Sequence, residues 1–325
     1  MWKRLDLSNA GSTLMLIAAI VVGAVVGGVS PAAGGKLFEG VDLLILVLVS
    51  LLFFEVRFRH FSQAAGHLKF VTVAWVANFV IIPTIGFGIA WVLLREQPPF
   101  FIGLMIYFMA PCTDWFLGFT RLARGNTALG TAILPINLIS QLLLYPVFLS
   151  LFSGTAVQVE SGTLYETLLQ WFLIPFAGAV IAHVVLAKLL SEQRFDTLLD
   201  WVGRIVSVVI ALLVFCICAG NIGTILEHRV VFIWILLGVF VFFSLTYVLG
   251  EGLSRIFRFE YPKRALLTMT TAARNAPLML AVTAAALPGE PLIYAALVIG
   301  TLVELPHLTA LKHLLLRSRG ASQRD

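Results

Sequence analysis

Ten stretches of this 325-residue chain are apolar for about the 20 residues that a helix needs to cross a bilayer. They run roughly over 11–29, 39–56, 70–94, 100–121, 126–152, 165–188, 201–222, 230–253, 264–287 and 291–314. Charged residues make up 12% of the chain and hydrophobic ones 60%, where a soluble domain carries about 25% charged residues. That deficit excludes a water-soluble globular protein, a disordered chain and a nucleic-acid binder. The segments between the apolar runs are too short for a soluble domain, so the function lies within the membrane. The expected fold is an all-α polytopic membrane protein of ten transmembrane helices.

Lys and Arg orient the spans. Eighteen of them fall at the N-terminus or after even-numbered spans, against three (Lys36, Arg95 and Arg229) on the other side, with Arg274 inside a span. The positive-inside rule then places both termini in the cytoplasm, as expected for a multi-pass protein of the cell inner membrane. The formal charge of +5 reflects this asymmetry and calls for no acidic partner. Met1-Trp2-Lys3-Arg4 leads into an apolar run without a small-residue cleavage site, so it reads as a retained first span.

The polar connection around Ser153 to Gly162 divides the chain into five spans and five spans, giving repeats over 1–155 and 156–325. An odd number of spans per half inverts the second copy, an arrangement common in secondary transporters. The fourth span carries Ala110-Pro111-Cys112-Thr113-Asp114, and the ninth carries Arg274-Asn275-Ala276-Pro277. Proline removes a backbone donor, and in lipid such gaps survive only where protein or a wet cavity covers them. Paired broken helices at matching places point to a midplane binding site.

Asp114, Arg274 and Glu304 do not belong in lipid. An ionised group at the bilayer centre costs roughly 2.5–3.5 kcal/mol even on the lenient insertion scale. Such groups face the bundle interior, either as part of a transport pathway or as ion pairs locking helices together. Cys112, between a proline and an acid at a helix break, is either a soft ligand for thiophilic species or a small packing residue. Asn137 and Gln141, one turn apart on the fifth span, either line a cavity or bridge helices. Cys216 and Cys218 point to different helix faces and read as packing residues; no disulfide framework is legible. Gly23 and Gly27 form a GxxxG that reads as close helix packing. His183 and His307 near span interiors are either proton shuttles or hydrogen-bonded packing residues. Glu55, Arg57, Arg59 and His60 read as a solvated cytoplasmic rim.

Ala110-Pro111-Cys112-Thr113, then Gly125 after a basic loop, then Asn137 about one span later, resemble the signature of arsenite efflux permeases. These belong to the bile acid/arsenite/riboflavin transporter superfamily. In the second half Ala273-Arg274-Asn275 resembles that family's Ala-Ser-Asn, Leu280-Ala281-Val282 follows, and Val303-Glu304-Leu305-Pro306 resembles its Val-Glu-Val-Pro. The resemblance implies a core of spans 3–5 and 8–10, with spans 4 and 9 crossing at their breaks, and a panel of spans 1, 2, 6 and 7. It also implies Cys112 as the functional thiol and Glu304 as the acidic residue of transport. The chain departs from the pattern at four places. Ala276-Pro277-Leu278-Met279 stands where a glutamate usually follows the ninth-span asparagine, and Leu138 follows Asn137 in place of aspartate. Asp114 replaces a small apolar residue, and Arg274 replaces a small hydroxyl residue.

In the sodium-coupled bile acid branch, cations sit near the broken helices beside an acidic residue. A guanidinium is permanently charged, so Arg274 there is either a fixed internal cation paired with Glu304 or Asp114, which removes the need for sodium, or an anchor for an anionic substrate. The expected function is a secondary exporter of arsenite or antimonite by alternating access, coupled to protons. Cys112, as the metalloid ligand, Asn137, Asn275 and Glu304 contact substrate, and Asp114, Arg274 and Glu304 serve coupling. The alternative is a sodium- or proton-coupled transporter of an organic anion held by Arg274. Neither HExxH, GxSxG nor a P-loop occurs, so an enzyme is not expected. No cofactor is implied, the partners are the bilayer and a small solute, and the oligomeric state is not legible.

Overall fold

The computed structural model describes residues 2–55, 66–112, 115–153, 174–287 and 289–321. Among them the regular elements are all helical. In chain order they are α1 (Trp2–Val29), α2 (Pro31–Phe38), α3 (Val41–Glu55), α4 (Leu68–Val76), α5 (Ile82–Leu94), α6 (Pro98–Met109) and α7 (Trp115–Leu122), followed by α8 (Thr127–Ser153), α9 (Ile174–Leu189), α10 (Glu192–Glu227), α11 (Arg229–Ile256), α12 (Tyr261–Ala272), α13 (Ala276–Ala286) and α14 (Pro291–Ala321). A π-helical turn, Ala77–Ile81, joins α4 to α5. Each expected apolar stretch falls, where described, on one of these helices or on an adjoining pair.

Length and composition alone qualify four spans among the described residues: Leu68–Leu94, Thr127–Leu151, Glu192–Glu227 and Arg229–Ile256. Helices α2 and α3, bent by 41° at Gly40, make a fifth if taken together. Leu14–Val29, Pro98–Met109, Ile174–Leu189 and Pro291–Gly300 are shorter apolar stretches among the described residues, so helix length does not fix a count of ten. The fourth and ninth expected spans are the interrupted ones, split as α6 with α7 and as α12 with α13. Outward-facing Leu143, Val147 and Leu151 on α8 and Val230, Ile233 and Phe240 on α11 are exposed. Apolar exposure on this scale suits lipid and not water.

The helices cluster into two compact units. The first holds residues Met1–Val56, Gln158–Arg229 and Pro277–Val298. Within it α10 packs on α1, α2 and α3, and α9 packs on α3. Pro31 opens α2 at its first position, and the Ser30 hydroxyl accepts the Ala33 N–H at 3.4 Å, which caps the turn between α1 and α2. The approach to α10 is set by glycine. A β-carbon on Gly27 would sit 2.0 Å from the Ala219 carbonyl oxygen, and one on Gly34 2.2 Å from the same atom. Gly23 likewise faces the Phe215 carbonyl and the Cys218 β-carbon, so the GxxxG is a packing seam. His183 donates from Nδ1 to the Phe54 carbonyl at 2.8 Å and stands edge-on to Phe54 and Phe195, a bonded packing residue. Glu55 ends α3, whereas Arg57, Arg59 and His60 lie outside the described residues.

The second unit holds Arg57–Val157, Val230–Ala276 and Ile299–Asp325. Helix α6 is buried along its length between α5 and α8, and α12 packs on α7 and α4. Gly86 admits the Phe108 ring and Gly250 admits Thr268, each where a β-carbon would come within 2.8 Å. Arg264 at the start of α12 bonds Glu251 of α11 at 2.7 Å and Ser318 of α14 at 2.8 Å, which ties three helix ends together. Along the chain the division into units falls within α13 after its first residue and within α14 after Val298.

Gly27 and its neighbour Gly28 give opposite expectations. A methyl at Gly27 meets a backbone oxygen that cannot rotate away, which costs about 1–3 kcal/mol or more. A β-carbon on Gly28 would meet nothing within 4 Å among the described residues, and alanine there gains about 0.5–1 kcal/mol of helix propensity. Thermal unfolding in detergent should show Gly27→Ala several degrees below wild type and Gly28→Ala at or above it. Equal midpoints for the two variants would mean that α1 does not approach α10 through this seam.

Candidate functional site

Two stretches of extended backbone meet in the second unit. Helix α6 stops at Met109 and α12 stops at Ala272, each followed by an alanine in extended conformation, Ala110 (φ −106°, ψ 108°) and Ala273 (φ −73°, ψ 137°). Pro111 and Arg274 form an antiparallel β-bridge. The Cys112 N–H donates to the Ala273 carbonyl at 3.0 Å, and the Asn275 N–H donates to the Ala110 carbonyl at 2.9 Å. Each interruption therefore supplies the backbone partners that the other has lost. Unpaired peptide groups in a buried apolar setting are costly, so neither break is tenable alone.

The helix ends at this bridge leave carbonyls pointing into it, and the Arg274 side chain takes them. Nη1 donates to the Phe108 carbonyl at 2.9 Å. Nη2 reaches back along its own chain to the Thr270 and Thr271 carbonyls at 3.0 and 2.8 Å, and across to Asn78 Oδ1 at 3.2 Å. The guanidinium also lies 5.6 Å from the Phe242 ring centroid, within cation–π range. It is 1% exposed. A helix C-terminus carries roughly half a negative charge. Here two such ends, of α6 and α12, converge on one permanent cation.

The acid sits on the complementary side. Glu304, 5% exposed and within α14, accepts the Arg274 backbone N–H on Oε1 at 2.9 Å. Its Oε2 accepts the Tyr107 hydroxyl at 3.3 Å, and that hydroxyl also lies 3.0 Å from the Gly300 carbonyl. Gly300 is required there, because a β-carbon would fall 2.7 Å from the Tyr107 ring. The cation thus faces bare carbonyls and the carboxylate faces a bare N–H just ahead of α13. Broken helices place ions in this way.

Asn137 joins through Thr270. Its Nδ2 donates to Thr270 Oγ1 at 3.4 Å, and Asn78 Nδ2 donates to the same oxygen at 3.3 Å. Asn137, Thr270, Asn78 and Arg274 thereby form one buried polar chain. Asn78 stands in the π-helical turn just before Pro83, and such single-turn bulges are frequent at functional sites.

Cys112 is 2% exposed, belongs to a buried apolar cluster that also holds Phe116, Met269, Ala272 and Ala273, has its backbone in the bridge and forms no disulfide. Asn275, 4% exposed, contributes its backbone N–H to the bridge. The structure therefore gathers Cys112, Arg274, Asn275 and Glu304 at the paired breaks and links Asn137 to them. Asp114 and Thr113 lie outside the described residues. His307, three residues after Glu304, stacks on Phe243 at 4.2 Å. Among the described residues no three of His, Cys, Asp and Glu are gathered as metal ligands.

Sequence reasoning missed Asn78, Tyr107 and Thr270. Asn78 had a signal, as an amide inside an apolar run five residues before a proline. Tyr107 and Thr270 had none, because hydroxyl residues are ordinary in apolar helices.

Residues 41–227, more than half of the chain, match the Sodium Bile acid symporter family. An uncharacterized sodium-dependent transporter of Bacillus subtilis, YocS, is 23% identical over 265 residues, which is 80% of this chain and 78% of that protein. Arsenical-resistance protein Acr3 of Corynebacterium glutamicum is 22% identical over 316 residues, 91% of this chain and 84% of its own length. The probable sodium/metabolite cotransporter BASS2 of Oryza sativa subsp. japonica, a chloroplastic protein, is 26% identical over 170 residues, covering 52% of this chain and 38% of that one. The arsenite-permease resemblance read from the two breaks and the all-helical, membrane-spanning architecture lead to the same place: the chain belongs to the Sodium Bile acid symporter family, a family of membrane transporters and not of enzymes.

Proposed function

We propose that this protein exports trivalent arsenic or antimony across the cytoplasmic membrane by alternating access, in exchange for protons and without sodium. Both termini lie in the cytoplasm on this reading, as the distribution of Lys and Arg suggests. The halves act as inverted repeats, with spans 3–5 and 8–10 as the core and spans 1, 2, 6 and 7 as the panel. The observation that carries the proposal is the Arg274 guanidinium held by carbonyls of two helix ends and by Asn78. Those oxygens are hard donors of the kind that otherwise hold a free cation. A tethered guanidinium stays charged at every physiological pH, so it meets the electrostatic need of the two helix ends with no ion to bind or release.

Supporting the substrate assignment is Cys112, a soft donor fixed at the bridge by its own N–H. As(OH)3 is neutral and exchanges hydroxyl for thiol: the Cys112 sulfur forms one As–S bond, one As–O bond breaks, and the thiol proton leaves with that hydroxyl as water. The Asn137 and Asn275 amides offer polar contacts to the remaining hydroxyls. Glu304 is the group at the bridge that can gain and lose a proton, and its ties to the Arg274 N–H and to Tyr107 connect its state to the backbone of the break. The match to the arsenical-resistance relative over 91% of the chain also favours this reading.

The alternative is an organic-anion transporter, favoured by relatives named as a sodium-dependent transporter and a sodium/metabolite cotransporter. In that reading Arg274 holds the anion. Its two terminal nitrogens are already bonded to four protein oxygens, which weighs against it.

The test is arsenite accumulation in everted inner-membrane vesicles under a proton gradient in sodium-free medium. Wild type should accumulate arsenite, and Cys112→Ser should fall at least ten-fold, to the level of vesicles lacking the protein. Taurocholate uptake with no arsenite uptake would hand the case to the alternative. A second expectation concerns coupling. Exchanging choline for sodium should leave the wild-type rate within two-fold, and a ten-fold loss without sodium would overturn the role given to Arg274.

A further inference from the structure

Gln141 sits at the middle of the buried stripe of α8, where Ile133, Asn137, Gln141, Tyr145 and Leu149 recur every fourth residue and none is more than 3% exposed. The opposite face, with Ile139, Leu143 and Val147, is exposed. Gln141 itself is 3% exposed, and among the described residues neither Nε2 nor Oε1 has a hydrogen-bond partner. Its polar neighbours differ in this respect. Asn137, one turn earlier, bonds Thr270, and Ser140 accepts the Trp75 indole N–H at 2.9 Å. Buried side-chain amides are nearly always bonded, and an exception in a membrane helix asks for a ligand.

The level of Gln141 along α8 says which ligand. Helices α8 and α12 run parallel, because their contacts ascend together: the Asn126 N–H bonds the Pro262 carbonyl, Gly130 faces Leu266, and Asn137 bonds Thr270. Helix α12 ends at Ala272, two residues beyond Thr270. At a rise of about 1.5 Å per residue, Gln141 stands about 6 Å past Asn137, level with the extended backbone at Ala273, Arg274 and Asn275.

We infer that Gln141 is a substrate-contacting residue of the proposed transport site, and that its amide binds a neutral solute through hydroxyl groups that both donate and accept. An amide presents two donors and one acceptor group with no net charge, which matches an uncharged trihydroxide and not a carboxylate. The inference rests on the transporter reading above and assigns that site a further ligand.

The experiment is thermal unfolding of the purified full chain in detergent, for wild type and for Gln141→Met, which keeps the volume and removes the amide. Each is measured alone, with arsenite, and with taurocholate below its micellar concentration. If the amide waits for substrate, Gln141→Met unfolds a few degrees higher than wild type without ligand, since an unsatisfied buried group is gone. It also loses the arsenite-induced rise that wild type shows by mass action. A lower ligand-free midpoint, or a retained arsenite rise, overturns the inference and leaves the transporter reading intact. If wild type responds to taurocholate and not to arsenite, the arsenite reading fails and the neutral-solute inference fails with it, because taurocholate is an anion. A wild type stabilised by neither probe overturns both.

Discussion

The paired breaks at Pro111 and Arg274 are the constraint on which the second unit depends. A polypeptide interrupted within an apolar bundle exposes peptide groups that neither lipid nor packed side chains can satisfy. Here the two interruptions solve one another's problem. Cys112 and Asn275 donate across to Ala273 and Ala110. What the bridge leaves over, the Phe108, Thr270 and Thr271 carbonyls and the Arg274 N–H, is taken by the Arg274 side chain and by Glu304. The surrounding helices are shaped to hold these few groups: Gly300 makes room for Tyr107, Gly86 for Phe108, and Phe242 stacks on Phe108 at 4.1 Å while lying near the guanidinium.

Much of this was legible in the sequence because the residues concerned are expensive where they stand. Pro111, Pro277, Arg274 and Glu304 each violate what an apolar helix tolerates, and the sequence marks them for that reason alone. The seam at Gly23 and Gly27 was legible as close packing from spacing. Gly34, which approaches the same Ala219 carbonyl from another helix, has no spacing relation to reveal it.

The use of the Arg274 charge was harder to read. The sequence invites a pairing of charges, guanidinium with carboxylate. In the structure the guanidinium's terminal nitrogens bond carbonyls and an amide, while Glu304 takes the main-chain N–H of the same residue and its charge still acts on the guanidinium. Backbone carbonyls freed by a helix break carry no letter in the sequence. Thr270 and Thr271, four and three residues earlier, are named by the periodicity of a helix that ends there, and only a known helix end exposes them. Asn78 enters the same network from a π-helical turn, whose extra residue resets the face on which side chains fall. Asp114 lies outside the described residues, so its part stays with the sequence reading.

Arginine is the residue that such an arrangement requires. Two hydrogens on Nη2 are shared among three oxygens, while Nη1 reaches the Phe108 carbonyl on a different helix. A lysine ammonium offers three donors from one point and could not span both helix ends in a fixed plane. The division of labour at the bridge follows. The cation is permanent and enclosed, and it answers the negative ends of α6 and α12 whatever the conditions. The carboxylate lies beside the opposite backbone polarity, and its partners include a peptide N–H and the Tyr107 hydroxyl. On the proposed reading this separates holding the fold from driving transport. On that reading, a chain that carries its cation covalently has no sodium to bind or release, and Glu304 is the acid at the bridge that would carry the coupled proton.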